Sequence, residues 1–174
     1  MAQGVEDSRA RTGLILGKFM PLTAGHCRLI DTALAQVEHL TILVCTLPTE
    51  PIDGHLRWRW VRDTYPQCRV LHVTEELPSY PHEHPDFWDL WKKLILGYVP
   101  ELDVVFTGEE YGDKLAEVLG CRHVCVDRYK GDVPISATMI RQDPIGNWQY
   151  IPPAVRPYYA QATQGVKQKI QTIR

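Results

Sequence analysis

This chain has no apolar run approaching the roughly 18 residues of a membrane-spanning helix. Its opening segment, MAQGVEDSRART, lacks the apolar core of a signal peptide. No excess of one charge is present either: 19 Lys and Arg stand against 21 Asp and Glu, a net charge of -2. That balance excludes a broad electrostatic footprint for nucleic acid or an anionic membrane, though not one local basic site. The 5 cysteines are odd in number and show no metal-finger spacing. Cys121 and Cys125 frame His123, but structural metal sites use more ligands at tighter spacings, so this stretch reads as a strand. A disulfide framework is not expected, and the expected compartment is reducing and cytoplasmic. There is no low-complexity tract, no internal repeat and no G-x-x-x-x-G-K-[ST] phosphate loop.

What is there fits one globular domain. A chain of 174 residues can bury about 70% of its unfolded surface around a single core. Residues 1–12 read as disordered or partly a cloning remnant, 13–160 as the domain, and 161–174 as a basic tail or helix. Within the domain, strand-like and helix-like segments alternate. The pattern predicts strands at 13–17, 40–47, 69–74, 103–107 and 123–126. It predicts helices at 24–38, 56–65, 86–98 and 111–119, a short helix from Ser136 and another after Pro153. Gly120 is placed to end the helix at 111–119. Such alternation implies an α/β fold: a parallel sheet with helices on both faces and right-handed crossovers. In open sheets of this kind ligands bind beyond the carboxyl ends of the strands, where the strand order reverses. The proline- and histidine-rich loop at 77–85 (LPSYPHEHP) reads as a mobile flap.

Chemistry concentrates in two places. The first is GKFMPLTAGH, from Gly17 to His26. A helix starting near Thr23 would aim its first N–H groups into the crevice, a ready anion site. Gly17 and Gly25 allow close approach of backbone to ligand. His26 can donate to a phosphate oxygen, and Lys18 can add a point charge. The second place is PISATMIR, from Pro134 to Arg141. Ser136 is a good N-cap, and Thr138 and Arg141 share one helix face. Taken alone, each stretch also fits a plain turn and an ordinary capped helix. Together, one opening the domain and one closing it, they suit a ligand with several phosphates.

These residues carry a resemblance. G-K-F-x-P followed by T-A-G-H is similar to the H/T-x-G-H signature of nucleotidyltransferases, and I-S-A-T-M-I-R to their I-S-x-T-x-x-R signature. More narrowly, the chain resembles the NMN adenylyltransferase domain of NadR-type NAD-salvage proteins. The likeness extends to LRW (56–58), LPSYP (77–81), the tryptophan-bearing helix, VFTGEEYG (105–112) and NWQYIPPAVRPY (147–158).

The resemblance implies a Rossmann-like nucleotidyltransferase fold and transfer of AMP from ATP to NMN, giving NAD and pyrophosphate. It implies that His26, Lys18 and Arg141 are catalytic. Gly17, Phe19, Thr23, Gly25, Gly108, Ser136 and Thr138 would bind ATP, with residues 109–111 near the adenosine. Thr23 stands where many relatives carry a first histidine. Trp88, Asp127 and Lys130 would contact NMN; Lys130 falls where an arginine is expected. Trp91 reads as core, and Arg57, Arg59 and Arg62 as a solvated helix face. Mg2+ would enter with ATP, bridging phosphate oxygens and keeping mostly water ligands, with no dedicated metal site in the protein. Kinase and repressor activities of the larger NadR-type proteins are not expected of this chain. The expected partners are ATP, NMN and NAD, with no nucleic acid and no membrane; a homo-oligomer is left open. The alternatives are a pantetheine-phosphate or cytidylyl transferase of the same superfamily, or a sensor that binds NAD or ATP without turnover.

Overall fold

The computed structural model describes residues 10–161. Five strands form one sheet in the order β3-β2-β1-β4-β5, and all four pairings are parallel. In chain order the elements are β1 (Ala10–Gly17), α1 (Ala24–Leu34), β2 (Val37–Cys45), α2 (Gly54–Thr64) and β3 (Arg69–Val73). Then come α3 (Phe87–Tyr98), β4 (Val104–Thr107), α4 (Tyr111–Leu119), β5 (Arg122–Cys125) and α5 (Ala137–Gln142). The chain is helical again from Arg156 to Gln161. The tail assigned to 161–174 lies outside the described residues apart from its first.

Alternation along the strands splits the core into two layers. Ile15, Ile42, Val44 and Phe106 pack with Ile30 of α1, Trp60 of α2 and Ile140 of α5. Their sequence neighbours Leu14, Leu43 and Val105 pack on the opposite face with Ile95 of α3 and Leu115 of α4. Helices therefore cover both faces, which is why these strands read as continuous apolar runs. After β1 the chain winds outward through β2 and β3, then returns to place β4 against β1. The strand order reverses there, and the crevice opens beyond the ends of β1 and β4.

Three boundaries differ from the sequence reading. β1 begins at Ala10, because Ala10 pairs with Val37 and Thr12 with His39, so the last residues of the polar leader join the ladder. Val37, expected on the apolar face of α1, is the first residue of β2; α1 ends at Leu34. β2 ends at Cys45; the Thr46 amide still reaches Val73 O of β3 at 3.0 Å, but the Leu47 amide turns to Glu50 at 2.6 Å and the ladder stops there. Helix ends follow local chemistry. Asp53 caps α2 through Leu56 N, Ser136 caps α5 through Met139 N, and Gly120 closes α4 at φ 70°.

One device occurs twice at the strand ends. Thr46 of the β2 end meets His72 Nε2 of β3 at 2.7 Å, and Thr107 of β4 meets His123 Nε2 of β5 at 2.7 Å. In each case a glycine of the crossover helix lies against the pair. A Cβ on Gly54 would stand 2.5 Å from Thr46 Oγ1, and one on Gly112 would stand 2.1 Å from His123 Nε2. Gly112→Ala is therefore expected to cost about 1–3 kcal/mol by forcing α4 off the sheet. A denaturant midpoint unchanged in that variant would contradict the close approach.

Candidate functional site

A cleft of about 810 Å³ occupies the crevice at the strand ends. Its walls come from the β1–α1 turn, the loops after β2, β3, β4 and β5, and the start of α5. Gly17, Lys18, Phe19, Thr23, Gly25 and His26 line it from one side. Gly108, Asp127, Lys130, Ser136, Thr138 and Trp88 line it from the others. Arg141 and Glu110 are the predicted residues that are not on the wall. Arg141 instead braces it. Its Nη1 donates to the Met20 carbonyl and its Nη2 to Thr138 Oγ1 at 3.3 Å, so it ties α5 to the β1–α1 turn.

His26 is fixed by its place in α1. Thr23 is the N-cap, and His26 occupies the third helical position. The His26 amide donates to Thr23 Oγ1 at 3.3 Å, while the Thr23 amide donates to His26 Nδ1 at 3.0 Å. This is a reciprocal capping box with histidine in the usual Glu/Gln position. Because Nδ1 accepts, the ring proton belongs on Nε2, a donor on a residue of the cleft wall. Burial, with help from the Lys130 charge, lowers the His26 pKa to about 4. At neutral pH it is thus a neutral, oriented hydrogen-bond donor. The Phe19 ring, 2% exposed and 4.9 Å from the imidazole, packs against it. The backbone here is constrained: Phe19, Asp127 and Lys130 are the described non-glycine residues at positive φ, and all three line the cleft.

Lys18 is held by a residue the sequence reading missed. Its Nζ lies 3.0 Å from Glu50 Oε2, and Glu50 also receives Arg57 Nη2 at 3.0 Å and the Leu47 amide at 2.6 Å. Burial pushes the Glu50 carboxyl upward, but the Leu47 amide, Lys18 and Arg57 outweigh it and hold the group below its usual range. Arg57 is not on a solvated face. It is 0% exposed, and it donates to Ile52 O at 3.0 Å and Lys18 O at 2.9 Å as well as to Glu50. The three groups form a brace under the Gly17–His26 turn.

Asp127 and Lys130 belong to the loop after β5 and line the cleft from there. Both carboxylate oxygens of Asp127 take backbone amides of their own loop, from Asp132 at 3.1 Å and Val133 at 3.0 Å. Asp127 shapes the loop instead of offering a free carboxylate. Lys130 belongs with His26, whose titration it influences, at the end of the cleft with the two helix starts. At the aromatic end, Trp88 stands edge-on to Phe87 at 5.0 Å. Trp91, expected in the core, packs against it and also lines the cleft, and its Nε1 donates to Pro78 O at 2.9 Å. The loop at 77–85, expected as a flap, is folded into a 3-10 turn at Pro81–Glu83. Glu83 accepts from Ser79 N at 2.6 Å and Tyr80 N at 3.1 Å. Cys45 at the end of β2 is no nucleophile, since burial pushes its thiol up to about 12.

The arrangement offers N–H donors, two lysines and hydroxyls at one end and aromatic rings at the other. Comparison with known proteins points the same way. No family model matches the chain. The trifunctional NAD biosynthesis/regulator protein NadR of Escherichia coli K12 is 30% identical over 90% of this chain, which spans 43% of that protein. The nicotinamide-nucleotide adenylyltransferase of Thermococcus kodakarensis is 22% identical over 90% of this chain and 86% of its own length. Among solved structures, NadR in complex with NR superposes with a TM-score of 0.67 at 22% identity, over 86% of this chain and 46% of that one.

Proposed function

We propose, for a chain homologous to NadR and sharing its Rossmann-like α/β fold, that the cleft catalyses nucleotidyl transfer, with ATP as donor and NMN as acceptor. The observation that carries this reading is His26: a neutral imidazole, locked by Thr23, whose free N–H belongs to the same cleft end as Lys18, Lys130, Ser136 and Thr138. Those are the groups an ATP triphosphate needs, and the aromatic end suits a flat pyridine ring.

In the reaction, a phosphate oxygen of NMN attacks the α-phosphorus of ATP. The new P–O bond forms as the bond to the β-phosphate breaks, giving NAD and pyrophosphate. No side-chain nucleophile is required, so catalysis is positioning plus stabilisation of charge on the pentavalent centre. His26 Nε2–H donates to a phosphate oxygen as negative charge builds up on it. Lys18, with a side chain 49% exposed, turns from Glu50 to meet the phosphates. Lys130 adds a second cation, and the α5 start, with Ser136 and Thr138, receives the outer phosphates. Trp88 and Trp91 flank the nicotinamide ring. No described cluster of three or more His, Cys, Asp or Glu is set to hold a metal. Mg2+ would enter with the nucleotide and supply charge neutralisation at its phosphates.

Arg141 acts through the turn it braces and through Thr138. Arg141→Ala is expected to raise the KM for ATP several-fold and leave that for NMN nearly unchanged; equal losses for both would assign it a purely structural part. The reading itself is tested by pyrophosphate release with ATP and Mg2+, comparing NMN, nicotinate mononucleotide and phosphopantetheine. Release with NMN and formation of NAD support it. Release only with phosphopantetheine overturns the acceptor, and calorimetric binding of ATP or NAD without turnover favours a sensor.

A further inference from the structure

The Thr–His pair on β4 and β5 is wired into the cleft in a way its counterpart on β2 and β3 is not. His123 has a side chain only 6% exposed, and its two ring nitrogens are both engaged. Nδ1 meets Asp113 Oδ1 at 2.7 Å, and Nε2 meets Thr107 Oγ1 at 2.7 Å. Thr107 is 3% exposed and lines the cleft. Its hydroxyl donates to Glu109 O at 2.9 Å and accepts from Glu109 N at 3.2 Å. The Asp113 carboxylate can only accept, so Nδ1 donates to it, and the Thr107 hydroxyl links Nε2 of His123 to the Glu109 backbone. The hydroxyl thus has its full set of partners, and the turn at 108–111 is pinned at both its amide and its carbonyl. Gly112 closes over the imidazole, leaving no room for the ring to shift. On the outer side, Arg128 Nη2 reaches Asp113 at 3.6 Å and Arg128 Nη1 reaches Glu110 at 3.9 Å. Arg128 belongs to the loop that carries Asp127 and Lys130. One chain of contacts therefore joins the two loops that bracket the donor side of the cleft.

We infer that His123 is a positioning residue for ATP, acting through Thr107 on the turn at 108–111. This rests on the reading above that the cleft takes ATP with its adenosine beside that turn. His123 does not touch the nucleotide; it fixes the carbonyl and amide of Glu109, so that the turn presents one surface to the base and ribose.

The test uses variants that separate the two ring nitrogens. His123→Asn can mimic Nδ1 and reach Asp113 but not Thr107. His123→Gln places an amide N–H near the Nε2 position and can still reach Thr107. Thr107→Val removes the hydroxyl at constant volume. In the full chain, calorimetry with ATP and Mg2+ should show roughly tenfold weaker binding for His123→Asn and for Thr107→Val, the scale of one lost buried hydrogen bond. The double variant should be no worse than either single one, since both break the same link. His123→Gln should recover most of the affinity, and the KM for NMN should move less than twofold throughout. Multiplicative loss in the double variant, or parallel rises for ATP and NMN, would reduce His123 to a fold-stabilising group and overturn the inference. So would a glutamine variant as weak as the asparagine one. ATP affinity unchanged in every variant overturns it alone; a parent chain that binds no ATP overturns both it and the functional reading.

Discussion

His26→Gln should lower turnover roughly 100- to 1000-fold while leaving the melting temperature near that of the parent chain. The loss is that of one donor to the charge developing in the transition state. The preserved fold follows from where His26 sits. It occupies the capping-box position that glutamine fills in other helices, so a glutamine can still receive the Thr23 amide. His26→Ala loses both functions, with about 1 kcal/mol of helix stability going with the cap. A glutamine variant with near-parental turnover would remove His26 from the chemistry. The pH behaviour gives a second check. Burial and the Lys130 charge lower the imidazole pKa from the usual 6.5 to about 4 in the folded chain. Between those values the unfolded chain binds more protons, so stability falls as pH drops from 6.5 towards 4. Above 6.5 both states are neutral and this group contributes no slope. His26→Gln should flatten that part of the stability–pH curve. The parent's turnover should show no His26 titration near 6.5.

Arg57→Met should be the most destabilising of the single changes considered, at about 3–5 kcal/mol. The guanidinium is fully buried and serves Ile52 O, Lys18 O and Glu50 at once. Removing it leaves Glu50, whose side chain is 8% exposed, with only Lys18 and the Leu47 amide, and frees the turn that carries Lys18. For a chain of this size the shift in melting temperature is about 6–20 °C, at roughly 2–4 °C per kcal/mol. Part of the cost is the charge partner that Glu50 loses. Adding Glu50→Gln to Arg57→Met should therefore recover part of the stability, and a double variant less stable than the single one would contradict that origin. Turnover of Arg57→Met below its unfolding range should also fall, since Lys18 loses the brace on its carbonyl. A melting temperature within about 3 °C of the parent would show that the turn holds itself.

The parts of this site that were legible in the sequence are those set by short-range rules. Thr23 and His26 lie three apart at a helix start, and Ser136 precedes a helix that needs a cap; both signals are local. The strand–helix alternation was equally plain, because strands covered on both faces must be apolar throughout. What escaped notice acts across space. Arg57 sits in a run of alternating arginine and tryptophan that looks like a solvated helix. Only the fold brings it under Lys18, 39 residues away. Glu50 lies in a polar loop and becomes structural once Arg57 and Lys18 converge on it. The threonine–glycine–histidine device gives no periodic signal, since 46, 54 and 72 are spaced differently from 107, 112 and 123. The start of β1 was missed for a related reason. Residues 10–12 (ART) carry no apolar run to mark a strand and are extended because β2 offers them a partner. Trp91 satisfied a helical apolar stripe, and that stripe does not distinguish a core from a cleft wall.

The central claim is that this cleft breaks ATP between its α- and β-phosphates and passes the α-phosphoryl group to NMN. The most direct measurement incubates the chain and Mg2+ with NMN and ATP labelled at either the α- or the γ-phosphorus. The account predicts that α-label appears in NAD, that γ-label appears only in pyrophosphate, and that His26→Gln slows both. Transfer of γ-label to the acceptor, or AMP released without NAD, would contradict it.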